Sequence, residues 1–421
     1  PLWSRGLGDV YKRQFISRFF PSLANLLVLI WYSKRLPEAT YGQYQHFWIQ
    51  LYVIYPLICF GIHVLLVTYS RNFIVSLKNS LKAKHYILYA LWVLLLSAVF
   101  AALQYISLPV GFLVPFIFII LFSFSFILES VLIVFRNFGT IVSINLAYSI
   151  AYCAIHWYVW KNGFSLQEVF ALLLAITAFR FLVYTVVAIT DLKGTSPQEA
   201  DVPIAKIRSL WLHLGVYDVL QLLFSWIDKF IISIVLTASL SAVYFNGSQN
   251  IPFLPLLLSA AGSAVLMQLA AGAGDTSAAD TAKLMTRVGR LLSCFVFPIF
   301  LYLFMYRAEF ITVILSAKYM ASIPVFAVSL LALPIRAYSF TTVLQRLHKG
   351  AIINIGAAAE LLLACIFMYP LYKWLGLPGV ALSFVITTYM QASFYLYFSA
   401  RYLGLSVLRL IPLADWLVCL L

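Results

Sequence analysis

Charge is scarce in this chain. Only 10% of its 421 residues are Asp, Glu, Lys or Arg, against roughly a quarter in soluble domains. Acids are the scarcer sign, 14 against 28 Lys plus Arg. So little charge cannot cover a globular surface, which excludes a soluble protein. Cysteine is sparse too: Cys59, Cys153, Cys294, Cys365 and Cys419 lie far apart, all in apolar runs. That excludes a CxxC redox or zinc motif and leaves the cysteines as small packing residues. The six histidines show no HExxH or related spacing, so no metal site is expected. Loops between apolar segments are short, and no His pairs convincingly with a nearby acid. No catalytic residue and no cofactor are therefore expected. A secretory cleavage site is missing as well.

The front of the chain reads differently from the rest. Residues 1–14, PLWSRGLGDVYKRQ, are mixed and aperiodic; from Phe15 the sequence is apolar and aromatic. Trp3, Leu7, Val10 and Tyr11 form no amphipathic face, and no Met opens the chain. Asp9–Val10–Tyr11–Lys12–Arg13–Gln14 matches the translation of a transposon end used in sequencing-library preparation, GAT-GTG-TAT-AAG-AGA-CAG. One frame of the opposite strand begins Cys-Leu-Leu, as the chain ends, Cys419–Leu420–Leu421. Residues 1–14 are thus expected to be a sequencing-adapter artefact, and the protein a fragment open at both ends.

What is present is hydrophobic, 63% of the chain. A membrane span needs about 20 mostly apolar residues. Twelve such stretches are complete: 15–33, 47–69, 86–107, 112–134, 140–160, 169–189, 209–236, 243–270, 288–306, 323–345, 350–372 and 379–398. A thirteenth starts near Leu410 and is cut off. The expected fold class is an all-α polytopic membrane protein. Net charge is +14, or +12 without the first fourteen residues. It reads as basic cytoplasmic loops obeying the positive-inside rule, not as a nucleic-acid site. With the first span starting in the cytoplasm, inside loops collect fifteen Lys and Arg and outside loops six. Lys78 and Lys193 are then cytoplasmic; Lys161 and Lys318 are outside.

The longest polar connection is Thr190–Arg208, with Gly194, Ser196, Pro197 and Pro203. It reads as a cytoplasmic linker between an N-lobe, 15–189, and a C-lobe, 209–400; residues 401–421 begin the truncated span. The halves echo each other weakly at an offset of 200 residues. Leu36–Tyr44, LPEATYGQY, lies against Leu236–Tyr244, LTASLSAVY. Such an echo is consistent with parallel repeats about an axis along the membrane normal.

Three stretches carry a family resemblance: Lys34–Ile62, with a Leu-x-x-x-x-(Tyr/Phe)-Gly-x-Tyr turn between spans; Asp228–Ile251, with an Asp-basic pair and a small-x-Tyr turn; and Leu315–Pro334 followed by Arg346–Ile386. In order and spacing they resemble lipid-linked oligosaccharide flippases of the Wzx type, in the MATE-like exporter superfamily. Ala242 stands where that pattern has its second glycine, and the chain stops before one or two further spans. The resemblance implies two pseudo-symmetric six-helix lobes around a cavity. It implies flipping of undecaprenyl-pyrophosphate-linked oligosaccharide across a bacterial inner membrane. Membrane lipids and a coupling H⁺ or Na⁺ would be the other partners.

Charged and polar residues inside spans are the candidate site. A sugar–pyrophosphate headgroup cannot cross hydrocarbon without a polar, cationic path. Arg180, in the middle of the sixth span, and Arg336, in the tenth after Pro334, could hold phosphate oxygens bidentately; each could instead pair with an acid. From opposite lobes, both could point at one central cavity. Arg18 is either a third such residue or an interface anchor. Asp228–Lys229 interrupt the seventh span. Asp218 lies ten residues earlier, within roughly 80° around the helix, with Gln221 one turn away. That polar stripe could line the cavity, bind H⁺ or Na⁺, or simply hold helices together. Glu129 and Glu360 are further buried acids, Glu360 the better ion-coupling candidate. Asn246, Gln249 and Asn250 on the eighth span could hydrogen-bond sugar or neighbouring helices. Aromatics are 17% of the chain, mostly as expected of interface belts. A multidrug exporter of the same superfamily would favour an acidic, aromatic cavity. A membrane polymerase or O-acyltransferase would need a large loop or a catalytic pair. A purely structural scaffold would leave the buried charges without a use.

Overall fold

The computed structural model describes residues 2–68, 74, 77, 81–194, 204–249, 251, 254, 258, 277–347 and 349–420, with side chains from Phe19 onward except at 68, 204–206, 209 and 420. Among them every regular element is helical, which is the backbone's solution in hydrocarbon, where each N–H and C=O must be met within the chain. The helices are α1 Leu2–Arg35, α2 Glu38–Cys59, α3 Ile62–Thr68, α4 Ala83–Ser107, α5 Leu113–Val134, α6 Phe138–Lys161, α7 Leu166–Lys193, α8 Ile204–Val235, α9 Ala238–Gly247, α10 Ala278–Met305, α11 Arg307–Phe310, α12 Ile323–Leu330, α13 Thr342–Arg346, α14 Gly350–Leu375, α15 Leu377–Leu403 and α16 Leu413–Leu420. Eight segments of the described residues are long and apolar enough to cross a membrane: α4, α5, α6, α7, α10, the stretch Ala317–Ala337, α14 and α15. The all-α polytopic expectation therefore holds.

Several expected spans take a different form. α1 runs unbroken across Phe15, so no change of structure marks the compositional join there. The second span divides at Phe60 and Gly61, whose φ of 37° and 69° are left-handed and cannot continue a helix. The tenth is not one helix. α12 stops at Leu330, a 3₁₀ turn spans Pro334–Ala337, and Tyr338 is extended before α13. Pro334 has no N–H to give the Leu330 carbonyl and its ring crowds that turn. Most of the eighth span, and Lys78, lie outside the described residues.

The contacts divide the chain into two compact units, 1–238 and 239–421. This boundary falls beyond the expected linker because α8 packs along α2 and α3 and so belongs with the first unit. α2 is the core of that unit. Phe47 stacks on Phe170 at 3.8 Å between ring centroids and meets Phe100 and Phe118 edge-on, all four buried. Gly42 lets the start of α2 approach the turn that ends α8: a Cβ there would overlap the Ala238 carbonyl oxygen. Without a hydrophobic drive between helices in lipid, such close van der Waals packing is the main cohesive term.

In the second unit α14 packs against α15, and Tyr395 donates to the Ile353 carbonyl at 2.7 Å. α10 begins before its expected start, with Ser277 accepting from the Asp280 N–H at 3.1 Å, an N-cap that sets the first turn. Ser322 donates to the Val243 carbonyl at 2.8 Å, joining α9 to the start of α12.

Candidate functional site

In the first unit, α5, α6 and α7 converge on Arg180. Its Nη2 donates to Glu129 Oε2 at 2.6 Å, and both side chains are largely buried. The guanidinium lies 5.4 Å from the ring centroid of Tyr148 and 5.3 Å from that of Tyr184. Tyr184 in turn donates to Asn145 Oδ1 at 3.1 Å. The Arg180 Nε is buried without a hydrogen-bond partner. Arg180 thus takes up the acid pairing that the sequence left open, while one donor of its fork stays uncommitted.

The polar stripe on α8 is divided between two partners. Lys229 Nζ lies 3.1 Å from Asp228 Oδ2 and also donates to the Ser225 carbonyl at 3.4 Å, with both charged side chains buried. Asp218 instead faces α3, its Oδ1 3.5 Å from His63 Nε2. Gln221 is exposed. Asp218 and Asp228 therefore do not share one site.

A second buried polar centre was not legible as a site. Tyr44 Oη lies 2.6 Å from Tyr152 Oη and 2.9 Å from His156 Nε2. His156 Nδ1 lies 2.7 Å from the Tyr152 carbonyl, so Nδ1 carries the proton and Nε2 accepts from Tyr44. Tyr32 donates to the His156 carbonyl at 3.1 Å, and Tyr152 reaches Asn25 Oδ1 at 3.4 Å. α1, α2 and α6 are tied together here. His156 stands in no ligand spacing, so nothing along the chain singles it out.

In the second unit Arg336 sits in the 3₁₀ turn, not within a continuous helix, and is exposed. Glu360 on α14 is buried, accepts a hydrogen bond from Gln391 of α15, and attracts Arg336 electrostatically. The structure so relates two of the sequence candidates, Arg336 and Glu360, and adds Gln391. Asn246 is buried at the end of α9 and Gln249 is half-buried just beyond it. The Arg18 side chain and Asn250 lie outside the described residues. Among the described residues no group of His, Cys, Asp and Glu is arranged to hold a metal ion.

No protein-family model matches the sequence, and no curated protein matches it. Solved structures do. A lipid II flippase MurJ in an inward closed conformation aligns with a TM-score of 0.68 at 15% identity, over 96% of this chain and 89% of the other. The fold is that of the MurJ and MATE transporters. A MOP superfamily transporter from Pyrococcus furiosus, described as having a binding pocket of reverse polarity that suggests a different function, gives 0.62 at 13% identity over 94% of each chain. A point mutant of the Vibrio cholerae MATE transporter VcmN gives 0.57 at 12% identity, over 94% of this chain and 98% of the other. At such identities the MurJ–MATE likeness speaks for the path of the backbone. The side chains described above are this chain's own.

Proposed function

We propose that this protein is a transporter, not an enzyme, that flips undecaprenyl-pyrophosphate-linked oligosaccharide across the bacterial inner membrane for surface polysaccharide synthesis. The observation that carries the reading is Arg336. A guanidinium is costly at membrane depth, yet this one is exposed in a helix break inside an otherwise apolar stretch. An exposed cation there suits an anionic headgroup. Its planar fork matches phosphate oxygens, which a lysine ammonium does not. Arg180, held by Glu129, is a second candidate. Asn246 and Gln249 would contact sugar. Asp218, the Asp228–Lys229 pair and Glu360 would bind or sense the coupling ion. The lipid tail stays among membrane lipids.

The test is complementation of a flippase-deficient strain carrying the matching glycan pathway, with protein abundance measured in parallel. Arg336→Ala should abolish export at normal abundance, and Arg336→Lys should retain part of it. Full export by Arg336→Ala would remove this residue from the substrate path.

The second reading is a multidrug exporter. It is favoured by the buried acids Glu360 and Asp228 and by the MATE neighbours. Drug resistance conferred on a sensitive strain without any glycan export would select it.

A further inference from the structure

We propose that the shared end of α1 and α6 is a binding site for the headgroup of an anionic phospholipid, held by Lys34, Arg35 and Lys161 against tryptophan rings. Such a site is independent of the cargo. α1 ends at Arg35 and α6 at Lys161. The two helices run side by side in one direction. Tyr152 reaches Asn25, Tyr32 donates to the His156 carbonyl at 3.1 Å, and the Trp31 and Trp160 rings meet at 5.2 Å between centroids. Both C-termini therefore come to one level and gather their cations there. The asymmetry of Lys and Arg puts this level outside, where only six cations fall along the whole chain; half of them are here.

The charged heads are held in place. The Arg35 guanidinium lies 5.3 Å from the Trp160 ring centroid, across the helix pair. Lys161 Nζ lies 5.2 Å from the centroid of Trp157, one turn earlier on its own helix. A lysine reaching for bulk water from this end would point the other way. Lys161 folds back instead toward the depth at which lipid phosphates lie. Both contacts are within cation–π range. Stacking on an indole uses the guanidinium face and leaves its N–H edge for phosphate oxygens. Among the described residues, Lys34, Arg35 and Lys161 make no ion pair and no side-chain hydrogen bond, and all are exposed. The two helix C-termini contribute roughly half a negative charge each, which leaves the cations in excess. Alongside them the helices turn apolar side chains outward. Leu27 is exposed one turn before Trp31, and Ile150 and Trp157 are exposed on the face of α6 that carries Lys161. A cationic ledge beside an exposed apolar flank fits a headgroup together with its acyl chains. A soluble anion would use the ledge alone.

Photocrosslinking of the full-length protein tests it, in phosphatidylcholine nanodiscs doped with phosphatidylglycerol that bears a photoreactive group near its headgroup. Crosslinks mapped by peptide mass spectrometry should fall around Trp31 and Trp157. Matched photoreactive phosphatidylcholine should label these peptides several-fold less. Arg35→Gln with Lys161→Gln should cut the phosphatidylglycerol label about tenfold, the least that losing a charge-assisted hydrogen bond implies. Lys318→Gln with Lys373→Gln removes as much charge from other expected outside positions and should leave the label unchanged. Arg35→Lys should keep only part of it. Equal labelling by the two lipids overturns the assignment, as does an equal loss in the two double variants. Should Arg35→Gln with Lys161→Gln fail to fold, the comparison of lipids on the wild type decides alone. Displacement of the label by polyprenyl pyrophosphate, but not by unlabelled phosphatidylglycerol, would make the patch a site for the carried lipid and overturn the assignment as well.

Discussion

Arg180 and Glu129 illustrate how a single residue's role depends on what lies across from it. The two are 51 positions apart, on different helices, and meet at 2.6 Å. Removing one partner of a buried pair leaves the other charge uncompensated, which costs about 3–5 kcal/mol. Glu129→Gln should therefore lower the thermal unfolding temperature of the detergent-solubilised protein and its abundance in the membrane. Neutralising both, Arg180→Met with Glu129→Gln, should recover much of that loss. If Glu129→Gln is silent in both measurements, the pair does not hold α5 to α7. The sequence reading recognised Arg180 as an expensive residue and offered an acid as one possible partner. It could not choose Glu129, because pairing across helices depends on rotation and depth, and neither is encoded in spacing along the chain. His63 was missed for the same reason: its partner Asp218 lies 155 positions away.

At the scale of elements, helices were legible from apolar length, and their interruptions were not. The signals were present at Phe60–Gly61 and at Pro334, but a run of apolar residues outweighs one glycine or proline when spans are read by hydropathy. The approach of α2 to the end of α8 gives a direct test. A Cβ on Gly42 would meet the Ala238 carbonyl oxygen, a backbone atom with no rotamer to escape through. Gly42→Ala should destabilise the protein by about 1–3 kcal/mol, the usual cost of overpacking. The readout is a lowered unfolding midpoint. Gly139→Ala, inside α6 where the added methyl meets nothing, should leave the midpoint unchanged or raise it. Equal midpoints for the two variants would mean that α2 and α8 separate freely.

For the whole molecule, the all-helical class followed from composition. The boundary between the two units lies beyond the linker, because α8 packs along α2. Orientation in the membrane rests on the asymmetry of Lys and Arg. Lys161 ends α6 and Lys193 is the last residue of α7; both are exposed, and the helices are joined by a short turn at 162–165. The two lysines therefore lie at opposite ends of an antiparallel pair. In a variant lacking the native cysteines, an impermeant thiol reagent applied to intact cells should label Lys161→Cys and spare Lys193→Cys. The reverse pattern would invert the topology.

The hydroxyl chain around His156 has a mechanical consequence. Tyr44 donates in one direction only, toward Nε2, because the other ring nitrogen is committed to the Tyr152 carbonyl. α1 holds the same cluster, Tyr32 by donating to the His156 main-chain carbonyl and Asn25 by accepting from Tyr152. α2 is thereby keyed in azimuth, like a shaft with a spline. It can tilt with α1 and α6 but cannot spin about its own axis without exposing unmet polar atoms to an apolar interior. Any movement of these three helices has to carry them as a single rigid wedge.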